Sequence, residues 1–447
     1  MNFRYLKEQI YYFLLISALP FTTNASEFLV DDLNRDKSKQ QTWLVLPYAF
    51  SSESMGLTVG TVGIFSGYIQ PQMNIVATTF VGEKLEVRSN DLSEMGTERT
   101  TGAMLAISGY RASFSDRLFI SAIGAYGYYP NQRLYLEGGN DSEKDLEQRS
   151  YESITPLQTQ GYNNWLNIDF RYVLPWGESK TTVLPSIKLQ RGIAVNRHHL
   201  GGGRPFATGQ TTFGTELFYS NRSADKFTES PELNTNGVRI YLEHNNTDYP
   251  SNPSRGYTFG AKLSSDFGIG DSTQSWNALE VDYSHFIELD NFTWSRQNVI
   301  AMNLWTAYSP SWNDSEYLSG STVLKKHQTP MWEGARLGGW SRMRAYDNNR
   351  FNDKAAIYGA IEYRLIPQLN PMADQKWNPF PIDWFQFVLF AEAGRVADHY
   401  ALTTLLSDMK YDLGFSIRAL AAKVPVRFDI AFGGEGSAMW MMLEQPF

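Results

Sequence analysis

Side chains able to do covalent or metal chemistry are scarce in this chain of 447 residues. Cysteine is absent, which excludes a disulfide framework, a thiolate metal site and a cysteine nucleophile. Six histidines are present: His198, His199, His244, His285, His327 and His399. The adjacent pair His198-His199 lacks the i,i+4 spacing of a helical zinc site, and His244 and His285 fall in strand-like segments, where packed or lumenal roles are expected. The sequence therefore predicts no catalytic residue, no metal site, no cofactor and no enzyme.

The composition excludes several further classes. Net charge is −8 with a pI near 5.4, which argues against nucleic acid as a partner. No apolar run approaches the ~18 residues that a membrane-spanning helix needs. Charged residues make up 19% of the chain and mean hydropathy is −0.36, yet the chain holds 27 Phe, 25 Tyr and 12 Trp. An aromatic-rich chain on a polar background leaves one class open, a β-barrel in an outer membrane.

The first 25 residues have the plan of a secretory signal peptide. Arg4 and Lys7 precede an apolar stretch at 10–19, and the small-x-small ending Thr23-Asn24-Ala25 predicts cleavage after Ala25. An N-terminal membrane anchor is the alternative, although the apolar stretch is short for it. We expect a signal peptide at 1–25, a short polar periplasmic lead-in at 26–41 and a barrel at 42–447.

From residue 42 onward, apolar and polar residues alternate with period two, which is typical of strands. In the segment 410–421, four large apolar residues alternate with a polar set that includes Asp412 and Arg418. A soluble β-sandwich would alternate too, but it would point such charges at solvent, whereas a barrel points them into a wet lumen. The recurrence of full charges on successive polar faces favours the barrel.

The pattern predicts sixteen strands, an even number as in single-chain bacterial barrels. The predicted spans are 42–50, 56–66, 71–81, 99–110, 117–129, 162–174, 181–192, 236–246, 256–266, 275–288, 296–308, 355–366, 385–395, 410–421, 425–434 and 438–447. A further candidate, Thr211–Ser220, would break the parity and is assigned to a long external connection at 193–235. The last predicted strand ends in Phe447, a terminal aromatic of the kind that signals delivery to the barrel assembly machinery.

Two segments carry more specific patterns. Glu243–Gly256 contains Asp248, Pro250, Pro253 and Gly256 between the eighth and ninth predicted strands. Leu337–Arg364 contains Gly338, Gly339, Arg344 and Tyr346, followed by a strand with Glu362-Tyr363-Arg364. Together they resemble the bacterial surface antigen barrel of the BamA/TamA-type outer-membrane assembly superfamily. The resemblance implies an all-β fold, a 16-stranded antiparallel transmembrane β-barrel whose long sixth external loop folds into the lumen.

The resemblance also implies a clamp between loop and wall. The loop arginine is Arg344, and its acidic partners on the wall are Glu362 and Glu392. A guanidinium can hold carboxylates bidentately in a poorly screened lumen. Two positions depart from the family pattern, because Met343 stands where the family has Val or Ile and Ala345 where it has Gly. A methyl group at 345 is expected to restrict how closely the loop approaches the wall.

For function, the resemblance implies a non-catalytic role in outer-membrane assembly or translocation. The family's substrate-receiving POTRA repeats are not expected here, because 26–41 is too short for one. The alternatives are a passive or gated pore, a structural surface antigen, and a lipid hydrolase for which the sequence offers no Ser or His candidate. Mixed lumenal charges suit internal pairing better than ion selection. Expected partners are outer-membrane lipid and lipopolysaccharide, the assembly machinery during biogenesis and an unidentified protein substrate, with no nucleic acid.

Overall fold

The computed structural model describes residues 29–32, 41–52, 55–88, 95–135, 157–201, 205–223, 233–312, 315–317, 323–325, 327–372, 382–421 and 424–447. The predicted signal peptide at 1–25 lies outside the described residues, as does most of the lead-in at 26–41. Within the described ranges, no helix has the length and apolar character needed to cross a membrane.

One antiparallel sheet of sixteen strands contains most of the described chain. Its strands are β1 Thr42–Ser52, β2 Gly56–Ser66, β3 Asn74–Arg88, β4 Met95–Arg111, β5 Leu118–Leu134, β6 Leu157–Val173, β7 Gln210–Arg222, β8 Leu233–Asn245, β9 Gly256–Asp266, β10 Trp276–Leu289, β11 Ser295–Tyr308, β12 Ala355–Pro367, β13 Ile382–Ala397, β14 Lys410–Ala421, β15 Val424–Gly433 and β16 Gly436–Leu443. Each strand pairs with its neighbour in sequence, so the prediction of sixteen antiparallel strands is confirmed.

The two faces of the sheet differ in the way that a membrane barrel requires. On β14, Tyr411 and Leu413 point outward and are 62% and 63% exposed, whereas Asp412 and Arg418 point inward and are buried. The outer face is therefore apolar and the inner face polar, the reverse of a water-soluble sandwich. From β2 to β15, each strand has a ladder on both sides that satisfies its backbone polar groups internally, as lipid demands of a spanning structure.

The sheet curls so that distant strands meet inside it. Trp440 and Met442 on β16 share one apolar cluster with Met104 on β4 and Ile123 on β5. Among the described residues, β1 and β16 each form a ladder with a single neighbour, β2 and β15 respectively. The barrel is thus a curled sheet whose two outermost strands define a seam, named here the β1–β16 seam.

The identity of the seventh strand was predicted wrongly. The span 181–192 is not in the barrel; instead Ser186–Gln190 belongs to a small separate sheet with Leu29–Asp32 and Ile193–Ala194. The segment Thr211–Ser220, assigned from sequence to a loop, lies within β7 and pairs with β6 and β8. Both segments alternate with period two, so periodicity alone could not choose between them.

The change of the seventh strand also changes the predicted positions of the loops. Seven connections define one rim of the barrel, here called the turn face: 67–73, 112–117, 174–209, 246–255, 290–294, 368–381 and 422–423. The long connection 174–209 therefore lies on the turn face, whereas the predicted external loop 193–235 is replaced by the shorter connection 223–232 on the opposite rim, the loop face. The small three-stranded sheet therefore sits at the turn face.

The end of the last strand is a further correction. β16 ends at Leu443, and Phe447 is not its final residue. The chain beyond Leu443 turns inward, where Arg364 Nη2 donates a hydrogen bond to the Phe447 carbonyl oxygen at 3.2 Å. The Phe447 ring packs on the apolar cluster of Phe286, Val299 and Ala301.

Candidate functional site

The sixth connection of the loop face, residues 309–354, is called here the sixth loop, and its described part at 327–354 folds into the barrel. Its inner part is a narrow hairpin in which Arg336–Leu337 pairs with Phe351–Asn352. Gly338 and Gly339 open the tip of this hairpin with φ of +105° and +108°. A Cβ atom at Gly338 would lie 2.2 Å from the Asp347 carbonyl oxygen, so the tip requires glycine there.

The tip places Arg344 against the inner wall. Its Nη2 lies 2.9 Å from Glu362 Oε1 on β12, and its Nε lies 3.0 Å from Glu392 Oε1 on β13. All three side chains are fully buried. The Arg344 backbone N–H also donates to Glu392 Oε2 at 2.6 Å. The geometry brings together the three residues that the resemblance assigned to a clamp.

The wall adds charges that the sequence did not place in the clamp. Glu362 also accepts hydrogen bonds from Arg364 and Arg418, both at 2.8 Å. Asp429 lies 3.7 Å from Arg344 and forms an ion pair with Arg427. We name the whole group the lumenal charge cluster: Arg344, Arg364, Arg418, Arg427, Glu362, Glu392, Asp412 and Asp429. Four basic and four acidic side chains meet with little water, so each depends on the others for compensation.

The two departures from the family pattern are accommodated by glycines on the wall. A Cβ atom at Gly433 would lie 2.8 Å from the Ala345 Cβ, so the missing side chain on β15 makes room for the methyl group. A Cβ atom at Gly394 would lie 3.3 Å from Met343 Sδ. Ala345 therefore approaches closely enough for its N–H to donate to Asp412 Oδ2 at 3.1 Å. The expectation that a methyl at 345 hinders docking is not supported by this geometry.

The rest of the sixth loop is held by contacts around the barrel. Tyr346 donates its hydroxyl to the Tyr411 carbonyl oxygen at 3.1 Å and accepts from the Gly434 N–H at 3.2 Å. Further ion pairs join the loop to other strands and to a neighbouring turn: Arg133–Asp347, Arg239–Glu333, Arg342–Asp282 and Arg350–Glu435. The loop thus fills the lumen, as the predicted fold required, rather than leaning on one side of it.

Other charged side chains on the inner face of the wall are also paired. Lys262 Nζ lies 2.9 Å from Glu280, and Arg171 lies 3.6 Å from Asp169. Both pairs lie on inward faces of strands. Oppositely charged neighbours that neutralise each other suit a filled interior.

The turn between β8 and β9 is built around Asp248. Its carboxylate accepts from the Ser254 N–H at 2.8 Å and the Ser254 hydroxyl at 2.6 Å. Gly256 closes the turn with φ of +99°, where a Cβ atom would lie 2.0 Å from the Asn246 carbonyl oxygen. Pro250 and Pro253 lie within the turn and leave no N–H to satisfy. Burial raises the pKa of Asp248, and the bonds from Ser254 partly oppose that rise.

We expect the turn to need the shape of Asp248 more than its charge. Asp248→Ala leaves the Ser254 N–H without an acceptor and should cost about 1–3 kcal/mol of unfolding free energy. Asp248→Asn keeps an acceptor and should cost little. Because burial raises the pKa of Asp248, its stabilising contribution is present at low pH and falls as pH rises through the folded-state pKa. Urea titrations of the refolded barrel between acidic and neutral pH should show this slope lost in Asp248→Asn. Equal loss in both variants would contradict the argument.

Two of the histidines, His244 and His285, lie on the outer face of the barrel and not in the lumen. His244 is buried on the outer face of β8, where Nδ1 lies 2.9 Å from the Thr211 hydroxyl and the Phe206 ring packs 4.7 Å away. His285 also points outward, next to Tyr283 on β10. The packed role expected for His244 agrees with this position, and the lumenal role does not. Across the described residues, no group of three His, Asp or Glu side chains could hold a metal ion.

Several solved structures are similar to this chain. The chain resembles the crystal structure of BamA from Haemophilus ducreyi lacking POTRA domains 1–3, at 10% identity over 90% of this chain and 69% of that chain, with a TM-score of 0.46. CdiB from Acinetobacter baumannii matches at 9% identity over 88% of this chain and 56% of that one, with a TM-score of 0.46. CdiB from Escherichia coli matches at 11% identity over 88% of this chain and 58% of that one, with a TM-score of 0.47. This chain therefore spans little more than half of either CdiB.

A search of curated protein sequences finds no significant match. The family model of the Omp85 superfamily domain matches residues 206–437, more than half of the chain. The matched region includes β7 to β15, the turn with Asp248, the sixth loop and every member of the lumenal charge cluster. This chain is therefore an outer-membrane β-barrel of the insertase and translocator type, and it belongs to the Omp85 superfamily.

Proposed function

We propose that this barrel works without catalysis in outer-membrane assembly or protein translocation, and that it does so by opening the β1–β16 seam. The observation that carries the proposal is that the two outermost strands, β1 and β16, each have a single ladder partner among the described residues, so the ladder stops at the β1–β16 seam. A strand edge without a partner can accept a strand of another chain. A protein substrate that is itself rich in strands fits such an edge.

A second contact connects the seam to the sixth loop. The Trp440 indole N–H on β16 donates to the Arg344 carbonyl oxygen at 2.7 Å. Movement of β16 away from the lumen must break this bond and expose the apolar cluster around Trp440 and Met104. Opening of the seam and release of the loop are therefore energetically linked in this proposal.

The proposal also includes how the protein reaches the outer membrane and what contacts it there. Export by a signal peptide at 1–25 would bring the chain to the outer membrane, where lipid and lipopolysaccharide would cover its apolar face. The assembly machinery would act on it during biogenesis, with the terminal Phe447 as part of the signal. Arg364 holds Phe447 inside the finished barrel, so such a signal would be readable only before folding is complete.

Locking the seam tests the proposal. The chain has no cysteine, so pairs can be introduced cleanly at Val45 or Pro47 on β1 and at Met439 or Met441 on β16. Proteoliposomes carrying the barrel should speed the insertion of an unfolded outer-membrane β-barrel polypeptide, measured by its heat-modifiable gel migration. We expect an oxidised seam disulfide to abolish this acceleration and a reductant to restore it.

A matched control separates the seam from the effect of a disulfide as such. Val59 and Val81 pair across the intact β2–β3 ladder and both point outward. A disulfide between cysteines at these positions should leave the acceleration unchanged. Acceleration that persists with the seam locked, or that is absent in the unmodified barrel, would contradict the proposal. The rival is a passive pore, for which ion conductance across a planar bilayer is the discriminating measurement.

A further inference from the structure

The long connection 174–209 crosses the mouth of the barrel at the turn face. At one side it is fastened near β5 and β7, where Arg117 Nη1 donates to the Ser179 carbonyl oxygen and Gln210 Nε2 to that of Val183, both at 3.0 Å. The 3-10 helix Gly177–Lys180 lies in this first part. The connection therefore starts from one fixed side of the rim.

Its far part is fastened to the opposite side. The Trp384 indole N–H on β13 donates to the Gly192 carbonyl oxygen at 2.9 Å. Ile193 packs against the buried residues Ile366, Trp384 and Leu420 on the inner faces of β12, β13 and β14. β5 and β13 are eight places apart in a sheet of sixteen strands, so the connection spans the full width of the mouth.

Between these sides lies a small packed layer. Ile187 and Leu189 are fully buried and form an apolar cluster with Ala194 and with Tyr249 of the β8–β9 turn. The strand Leu29–Asp32 runs parallel to Ser186–Gln190, with Val30 opposite Ile187. The segment before β1 thus adds a strand to the layer that covers the mouth.

We propose that residues 174–201 form a cap that closes the lumen at the turn face, and that the strand Leu29–Asp32 is the latch that stabilises its closed position. The sixth loop closes the lumen from the loop face, so the barrel has two separate closures. The cap is independent of the seam, and a failure of the seam experiment leaves it untouched.

Gly192 offers a way to release the cap without altering the barrel wall. It has φ of +73°, and a Cβ atom there would lie 2.6 Å from Leu420 Cδ2 and 2.8 Å from both Asp383 Cβ and Trp384 Cδ1. The last two contacts remain when residue 420 is cysteine. Gly192→Val therefore cannot keep its place against the wall. The reporter is Leu420→Cys, because Leu420 is fully buried beneath Gly192. In this cysteine-free chain, the rate at which a bulky maleimide labels residue 420 reports departure of the cap.

We expect Gly192→Val to speed labelling of Leu420→Cys at least about tenfold in the refolded full-length barrel. The control is Gly270→Val, since Gly270 also has a positive φ of +71° but a Cβ atom there meets nothing nearer than 3.9 Å. That variant should label at the rate of the parent. Heat-modifiable migration establishes that each barrel is folded.

A second variant tests the latch. Val30→Pro places a residue without an N–H, and with a fixed φ, in the strand that pairs with Ser186–Gln190, while Val30→Ala keeps the N–H. Labelling of Leu420→Cys should speed up in the proline variant and stay unchanged in the alanine variant. If residue 420 labels rapidly in the parent barrel, or stays equally protected in folded Gly192→Val, the cap is overturned. If only Val30→Pro has no effect, the latch is overturned and the cap stands.

Discussion

Arg344→Ala should convert a quiet barrel into a noisy or more conductive one and lower its free energy of unfolding by about 3–5 kcal/mol. The substitution leaves Glu392 buried without its guanidinium partner, whereas Glu362 keeps Arg364 and Arg418. It also removes the cation over the Phe390 ring, which lies 3.5 Å from the guanidinium carbon. The loop loses its deepest attachment, and water should enter the lumen.

Single-channel recording in planar bilayers measures the first effect, and urea unfolding in vesicles the second. The control is Arg350→Ala, because Arg350 binds Glu435 bidentately at a carboxylate that is 37% exposed. Solvent can hydrate Glu435 once Arg350 is lost, so this variant should stay closer to the parent. A parent channel that is steadily open and unaffected by Arg344→Ala would mean that the loop does not occlude the lumen, and would favour the passive pore.

Glu362→Gln should lower the free energy of unfolding of the barrel by several kcal/mol, although it is a much smaller change than Arg344→Ala. Glu362 is the one carboxylate that Arg344, Arg364 and Arg418 share. The amide keeps the shape but removes the charge, leaving three buried guanidinium groups with an excess positive charge. A glutamine can accept from these groups but cannot compensate them.

Unfolding in urea, with the matched change Glu435→Gln as control, measures this difference. Glu435 has one arginine partner and partial exposure, so its amide variant should lose about 1 kcal/mol or less. Similar losses in the two variants would show that burial and shared compensation do not set the energetics of the lumenal charge cluster. Conductance should rise in Glu362→Gln as in Arg344→Ala, because both weaken the attachment of Arg344 to the wall.

The sequence was sufficient for the fold class and the number of strands, since period-two alternation with charges on one face has few other solutions. It was not sufficient to choose between 181–192 and Thr211–Ser220 as the seventh strand. Ile187 and Leu189 alternate with polar neighbours because they face the apolar layer of the cap, not lipid. The two environments impose the same pattern on a short strand, and only tertiary pairing separates them.

For the candidate site, the motif pointed to Arg344 and to two carboxylates on the strands that follow it. Arg418 and Asp429 were visible as inward charges, but their convergence on the clamp depends on how the curled sheet turns β14 and β15 toward the same part of the lumen as β12. The room for Ala345 could not be foreseen either, because it comes from Gly433, which is distant in sequence. A departure from a motif can be absorbed by a partner that the motif does not include.

The sixth loop is synthesised before the strands that carry the partners of Arg344. Arg344 lies before β12, yet its carboxylate partners belong to β12, β13 and β15, and its carbonyl oxygen is bonded to β16. The strands themselves pair with sequence neighbours and can form as successive hairpins. The loop arginine, in contrast, is fully compensated only when nearly the last strand is in place. We therefore expect the desolvation of Arg344 to be a late event in folding, because an incomplete barrel lacks some of these partners and would leave the guanidinium hydrated.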